Sequence, residues 1–388
     1  MQFKVRRILT SHIKKEIEKI GFSLSHLDFG ALKHKFLNIK IYDLKPETAT
    51  IIKQAALSAG ADAAVHSGVL DHSIKKSDLI LSGTIQELCS IAEKLKKQQF
   101  SAPKIADEIL SQIKIFKQTP VKPQIMGILN ITENSFSDGG KYLDPKKAIE
   151  HAYKMLDEGA DIIDIGAEST RPGAEPINPD IEINRITPVI KELAGKCGAK
   201  ISIDTRNSGT AAVMADLGAD IINDVSGLSY DKNMAKTIAK TGLNVIIMHS
   251  RGMPDTMDEF CSYKNTVDDV YFELLKMTEN ALDAGILPEK ITIDPGFGFA
   301  KNIEQNFEIL IKIEEFKSMG YPLLCGVSRK RFIKSLVSEE FQNQDILKTL
   351  DEITAQASFY FGTKNIDIIR VHNVVKTKQA LSLAGKLV

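Results

Sequence analysis

The chain has 388 residues, 43% of them hydrophobic and 26% charged, and its formal charges cancel. That length suits two domains better than one, and the composition is that of a globular protein with ample core-forming material. No apolar run approaches the roughly 18 residues of a membrane span, and the basic N-terminus lacks the apolar stretch and cleavage site of a signal peptide.

Cys89, Cys197, Cys261 and Cys325 lie far apart with no CxxC spacing. They read as free thiols in a reducing cytoplasm. Residues 1–120 carry 19 Lys/Arg against 12 Asp/Glu, so the first third is basic and the rest acidic. The lysines are scattered among ordinary helix charges without aromatic interleaving, which speaks against nucleic-acid binding.

Residues 1–117 read as a small α/β domain. Residues 39–44 are strand-like, Pro46 opens a helix over 47–59, and Gly60 stops it. Short apolar runs at 63–65 and 79–81 suit buried strands. Thr84 caps a helix running through Leu95, with Glu87 completing a capping box and Lys94, Lys96 and Lys97 near its C-terminal end. His66, Asp71 and His72 could be read as a metal cluster, but in a polar loop they are more simply solvated. A helical pattern over 105–116 ends at 118–123, QTPVKP, which reads as a linker with two prolines.

From Gln124 to the end, eight short apolar runs alternate with helical stretches. They fall at 125–129, 162–165, 201–203, 221–222 (with Val225 close behind), 245–248, 291–293, 323–327 and 366–371. Continuous apolar strands between helices predict a parallel sheet buried on both faces. Eight units in residues 124–388 match a (β/α)8 barrel, the TIM-barrel class. An open doubly wound sheet would carry a Gly-rich nucleotide turn after its first strand, and GxGxxG is absent there.

Each run ends in polar groups. In order they are Asn130, then Glu168 to Arg171, Asp204, Asn223 with Asp224, His249, Asp294, Ser328 to Lys330, and Arg370 with His372. One such residue is usually a cap or turn. Eight in register would converge on the C-terminal face, where barrel enzymes act. Carboxylates after the third and sixth strands suit a ligand rich in N–H donors. Arginines and a histidine after the second and eighth suit phosphate or pyrophosphate. The loops at 130–141 and 167–176 are rich in small and polar residues and could be lids.

GILNITENSFSDGG, GAESTRPGA, SIDT, INDVSGL, IMHSRGMP, DPGFGFAK, GVSRK and IIRVHNV, in this order, resemble the motif series of the dihydropteroate synthase family across 124–388. The resemblance implies a transferase of folate biosynthesis. It would join hydroxymethyl-dihydropterin pyrophosphate to para-aminobenzoate and release pyrophosphate. Asp294 and Asn223 would bind the pterin edge, Lys330 its carbonyl side, and Asp204 would face developing positive charge. Arg370 and His372 would bind pyrophosphate, with Thr170 and Arg171 from the second loop, and Asn130 would contact Mg2+. Phe136, Pro172 and Phe299 would line the aminobenzoate slot, its carboxylate near the helix N-terminus after Ser328. Asp204, Lys330, Arg370 and His372 would carry the catalysis, His249 would be structural, and the enzyme would be a cytoplasmic homodimer.

Several positions depart from the family pattern. Glu133 and Asn134 stand for Pro-Asp, Arg206 for Ser, Ala300 for Gly, and Arg331 for Ser. Arg331 could either strengthen carboxylate binding or point to solvent. A pterin-dependent methyltransferase would not need the cationic clamp or the SRK lysine, and a non-catalytic paralogue would have lost one of these groups. The N-terminal extension carries no polar cluster, so a binding or assembly role fits it better than a second activity.

Overall fold

A computed structural model describes residues 5–119, 121–132, 144–168, 177–252, 256–337 and 345–387. The chain divides into two compact units, Met1–Thr119 and Pro120–Val388.

In the first unit β1 (Phe36–Leu44), β2 (Asp62–Val65) and β3 (Ser77–Thr84) form an antiparallel sheet in the order β1-β3-β2. Helices Pro46–Leu57, Ile85–Leu95 and Ala102–Phe116 supply most of the core, which joins Ile52, Leu88, Ile91 and Ile109 to Leu79 and Leu81 of β3. The sequence suggested a buried strand at 79–81. The strand alternates instead, with Leu79 and Leu81 inside and Ile80 exposed, because one face of an antiparallel sheet can remain in water. The capping box forms: Glu87 N–H donates to Thr84 Oγ1 at 3.4 Å and Thr84 N–H donates to Glu87 Oε2 at 2.7 Å. His66 Nδ1 accepts the Gly68 N–H at 3.0 Å and Asp71 Oδ1 the Ser73 N–H at 3.1 Å. Both are local turn contacts. Two short helices, Ile13–Lys19 and Leu27–Leu32, had no counterpart in the sequence reading.

The second unit holds eight parallel strands: β4 (Gln124–Asn130), β5 (Ile162–Gly166), β6 (Lys200–Asp204), β7 (Ile221–Asp224), β8 (Asn244–Met248), β9 (Ile291–Asp294), β10 (Leu324–Cys325) and β11 (Ile368–Val371). Their order is β10-β11-β4-β5-β6-β7-β8-β9. A parallel bridge between Ile293 and Leu323, and Ile293 N–H on Pro322 O at 2.9 Å, join the two ends into a (β/α)8 barrel.

Period-two alternation sorts the side chains. Met126, Ile162, Ile221, Ile246, Leu324 and Ile368 form a small apolar plug of their own inside the barrel. The intervening residues, such as Ile125, Ile163, Ile222, Val245 and Ile369, join the larger core shared with the helices. Strands with a core on both faces must be apolar at nearly every position, which is why their runs were legible. Two residues beyond plug members Ile162, Ile221 and Ile368, on the same face, come Asp164, Asn223 and Arg370. The sequence therefore builds a polar layer directly above an apolar floor. No helix among the described residues is long and apolar enough to cross a membrane.

Candidate active site

The polar layer is held by direct contacts between strands. Arg370 on β11 donates from Nε to Asp164 Oδ2 at 2.6 Å and from Nη2 to Asp204 Oδ2 at 2.7 Å. Asn223 Nδ2 donates to the same Asp164 oxygen at 3.1 Å. Register explains the meeting: Asp204 pairs with Asn223 across β6 and β7, and Gly166 pairs with both Asn130 and Asp204. Gly166 permits close approach, since a Cβ there would lie 3.3 Å from Asp204 Cβ and 3.7 Å from Asn130 Oδ1. Asp204, Asn223 and Arg370 thus gather about Asp164, a carboxylate the strand-end pattern did not single out, with Asn130 beside Gly166 on the neighbouring strand.

Burial pushes the Asp204 carboxyl up to about 7, with Arg370 pulling back and Asp164 adding to the rise. Burial likewise raises Asp294, opposed first by Lys330 and then by the Gly296 N–H, which donates to Asp294 Oδ1 at 2.7 Å. Lys330 is drawn down to about 8 by burial, against the pull of Asp294. Its ammonium donates to Phe297 O and lies 4.7 Å from the Phe299 ring centroid. Ser328 Oγ and His372 Nδ1 are 2.9 Å apart, and His372 N–H donates to the same hydroxyl at 3.2 Å, which ties β11 to the loop after β10.

The turn after β9 is built around glycine and lysine. Gly296 has φ +71°, and a Cβ there would stand 1.9 Å from the His249 carbonyl oxygen. Gly296→Ala is expected to cost about 3 kcal/mol, from left-handed strain plus a backbone collision. Urea denaturation checks it, and a cost under about 1 kcal/mol would mean the turn yields easily. Lys301, only 2% exposed, donates to Gly296 O at 3.0 Å, Phe299 O at 2.9 Å and His249 Nδ1 at 2.9 Å. Burial draws Lys301 down to about 7 while Asp294 resists. Three acceptors around one nitrogen nevertheless match the three N–H bonds of an ammonium. Since His249 Nδ1 accepts, its Nε2 carries the proton and donates to Glu273 Oε2 at 3.0 Å. Arg251 closes the chain on Glu273 and stacks on Tyr263 at 3.9 Å. Burial and then Lys301 push His249 down to about 4. Burial raises Glu273, but hydrogen bonds from His249 and Arg251 outweigh it and bring the carboxyl to about 2.

Not all eight strand ends feed the site, so their register overstated the convergence. Glu168 receives Arg206 Nε at 3.0 Å and Nη2 at 2.9 Å, and accepts the Ile177 N–H at 3.2 Å. Asp224 holds the turn at Ser226 through N–H and Oγ contacts of 2.7 and 2.6 Å. Arg329 makes a two-pronged pair with Asp351 at 2.7 and 3.0 Å. His249 sits in the lysine network. These four are structural.

The departures acquire places too. Arg206 is buried in its pair with Glu168 and lies 4.1 Å from the centroid of Tyr230. Ala300 adopts φ 48° and its carbonyl accepts Tyr263 Oη at 2.9 Å. Arg331 forks onto Asp258 at 2.8 and 3.1 Å, a third option beside carboxylate binding and plain solvent. The helix after Ser328 is only Arg331–Lys334. One turn sums too few peptide dipoles for the anion site expected there. Phe136, Thr170, Arg171, Pro172, Glu133 and Asn134 lie outside the described residues.

Sequence reasoning missed Asp164 and Lys301. An Asp inside IIDIG, in step with Ile162 and Gly166, was the available signal, because a carboxylate in a strand buried on both faces needs a charged partner. Lys301, closing DPGFGFAK, gave no comparable sign.

The pterin binding enzyme family matches residues 126–372. A dihydropteroate synthase of Mycobacterium leprae is 40% identical over 266 residues, which is 68% of this chain and 92% of that protein. A Haloferax volcanii protein named as a probable bifunctional folylpolyglutamate synthase/dihydropteroate synthase is 34% identical over 358 residues, 87% of this chain and 41% of its own length. That span exceeds the second unit and so reaches into the first. The crystal structure of Yersinia pestis dihydropteroate synthase with a sulfonamide drug complex superposes with a TM-score of 0.65 at 35% identity, covering 69% of this chain and 94% of that one. The chain therefore belongs to the dihydropteroate synthase family, transferases of folate biosynthesis.

Proposed function

We propose that the polar layer above the barrel plug binds the hydroxymethyl-dihydropterin pyrophosphate and that this chain's own groups carry the transfer to para-aminobenzoate. The carrying observation is one cage: the buried carboxylates Asp164, Asp204 and Asp294 and the buried Asn223 amide, together with the half-buried cations Arg370 and Lys330. Asp294, Asn223 and Lys330 hold the heterocycle, with Asp294 as a double acceptor for adjacent N–H groups. The exocyclic C–O bond breaks with its electron pair leaving on pyrophosphate. The amine nitrogen forms the new C–N bond to the same carbon, and its surplus proton passes to the released pyrophosphate. Asp204 faces the carbon as it turns cationic, and His372 with the remaining edge of Arg370 receives the departing charge. Ser328 fixes the His372 ring. Phe299 lines the aminobenzoate side, beside Lys330.

Asn130 is the residue that would hold Mg2+. Its amide stands at the end of β4 beside Gly166, in line with Asp204 across the strands, and no cluster of three acidic, histidine or cysteine ligands exists among the described residues. One amide oxygen fits Mg2+ in the manner of an ion that keeps most of its waters and takes its other ligands from substrate phosphate. Bound there, the ion would neutralise pyrophosphate charge. We further propose a homodimer in the cytoplasm, and light scattering that returned a monomer at working concentration would refute the dimer.

The deciding experiment measures pyrophosphate release, which must require both the pterin substrate and para-aminobenzoate. Asp294→Ala is expected to weaken pterin binding by roughly a hundredfold or more, because ligand N–H groups lose a charged acceptor. Calorimetry with the free pterin checks it, and near-normal affinity would remove Asp294 from the pocket.

A further inference from the structure

We propose that Asp164 is a positioning residue for the transfer: one of its oxygens sets the orientation of both Asn223 and Arg370, and so decides which hydrogen-bonding edge the pocket offers. The proposal rests on the pterin reading of this cage and deepens it.

Asp164 lies in the middle of β5 and is fully buried. Its Oδ2 takes Arg370 Nε at 2.6 Å and Asn223 Nδ2 at 3.1 Å. A carboxylate only accepts, so the amide must turn its NH2 end toward Asp164. Asn223 Oδ1 is then the end left for a ligand. The pocket must be met there by an N–H, and a ligand with a bare acceptor at that point is disfavoured. The same oxygen fixes Arg370 through Nε, which places Nη2 on Asp204 at 2.7 Å and leaves Nη1 as the guanidinium's remaining nitrogen.

Core stability does not account for this carboxylate. Asp164 Oδ1 is buried with no hydrogen-bond partner among the described residues, and so is the hydroxyl of Ser202, its register partner on β6. Apolar side chains of similar size would leave no such orphans and would cost less to bury. What Asp164 supplies that they could not is orientation of two neighbours at once. It also shares a single guanidinium with Asp204. Neutralising Asp164 leaves Arg370 to Asp204 alone, which eases ionisation of Asp204.

The test is a double-mutant cycle in the full chain: Asp164→Asn, Asn223→Ala and the pair. It is read as kcat/KM for the pterin substrate from about pH 5 to 9. Positioning predicts that Asp164→Asn alone loses about tenfold to a hundredfold, and far less in the Asn223→Ala background. It also predicts that the acid limb of Asp164→Asn moves to lower pH by about one unit, a shift that a merely structural role would not produce. Multiplicative losses, or an acid limb left in place, overturn the proposal. Should Asp164→Asn not fold, Asp164→Ser is also uncharged but smaller, and carries the same two readouts. The Asp294→Ala measurement tests the pterin reading separately. Normal pterin affinity there refutes that reading, whereas lost affinity there with an unmoved limb here refutes only the role of Asp164.

Discussion

Replacing Arg370 with alanine is expected to abolish turnover and to lower folding stability by about 3–5 kcal/mol near neutral pH. The guanidinium bridges Asp164 and Asp204, whose side chains are 0% and 9% exposed. Without it, two carboxylates share a buried cage with no cation between them, and truncating one member of a buried ion pair costs far more than the pair contributes. The motif resemblance assigned Arg370 to pyrophosphate alone, which would confine the effect to pyrophosphate affinity. The geometry revises that. Asn223 is oriented by the same Asp164 oxygen that Arg370 holds, so free pterin binding should fall as well.

The stability loss should depend on pH with a defined sign. Asp204 already lies at about 7 in the folded protein, above its ordinary 3.8. Removing the guanidinium raises it further. A carboxyl raised on folding makes the folded state bind more protons, so its destabilising effect grows as pH rises from about 4 through 7 and fades below. The gap between the melting curves of wild type and Arg370→Ala should be wider at pH 8 than at pH 5, because Asp204 is ionised above about 7 only where the guanidinium is present, while a constant gap would show that Asp204 does not feel the arginine. Arg370→Lys should fall between, because one ammonium lacks the fork that reaches both acids.

Lys301→Met should be the second severe variant, at about 2–4 kcal/mol with loss of most activity. Methionine approximates the length of lysine but has no donor. Gly296 O, Phe299 O and His249 Nδ1 would each lose the contact that satisfies them. Those carbonyls shape the turn that follows Asp294, so the loss reaches the groups proposed to hold the pterin. Chemical denaturation measures the stability, and a cost below about 1 kcal/mol would mean the network is dispensable. Nitrogen NMR of His249 gives an independent check. In the wild type, Nδ1 should report an accepting nitrogen and Nε2 a protonated one. A His depressed to about 4 keeps the folded state short of a proton, so its contribution is complete above about 6.5 and is lost as pH falls from there to 4. In Lys301→Met the repelling ammonium is gone, the His249 titration moves upward, and that acid-side loss shrinks.

The eight strands were legible because parallel strands buried on both faces tolerate few polar residues, so each reads as an apolar run between helices. The strand expected at 79–81 forms within Ser77–Thr84, but its one-sided burial was not legible, for the complementary reason. One face of an antiparallel sheet stays in water, and a short apolar window cannot say which face a residue occupies. Asn130, Asp204, Asn223, Asp294 and Lys330 were legible as candidate site residues because polar groups at the strand ends of a barrel face the same mouth. Glu168, Asp224, His249 and Arg329 satisfied that rule equally well and serve turns and ion pairs instead, since strand-end position does not reveal a partner. Arg206 and Arg331 as charges were plain, while their acceptors, Glu168 and Asp258, lie 38 and 73 residues away along the chain.

By itself the sequence determined the barrel, the order of its elements, and the chemical content of its mouth, because periodicity and residue type are local properties that survive without coordinates. Only the tertiary structure decided which of those groups touch. Asp164 serves Arg370 across 206 residues of chain and Lys301 reaches His249 across 52, and such pairings arise from strand register and closure of the sheet. Orientation of an amide and the tautomer of a histidine follow in turn from those contacts, since a hydrogen bond needs a donor on one side and an acceptor on the other.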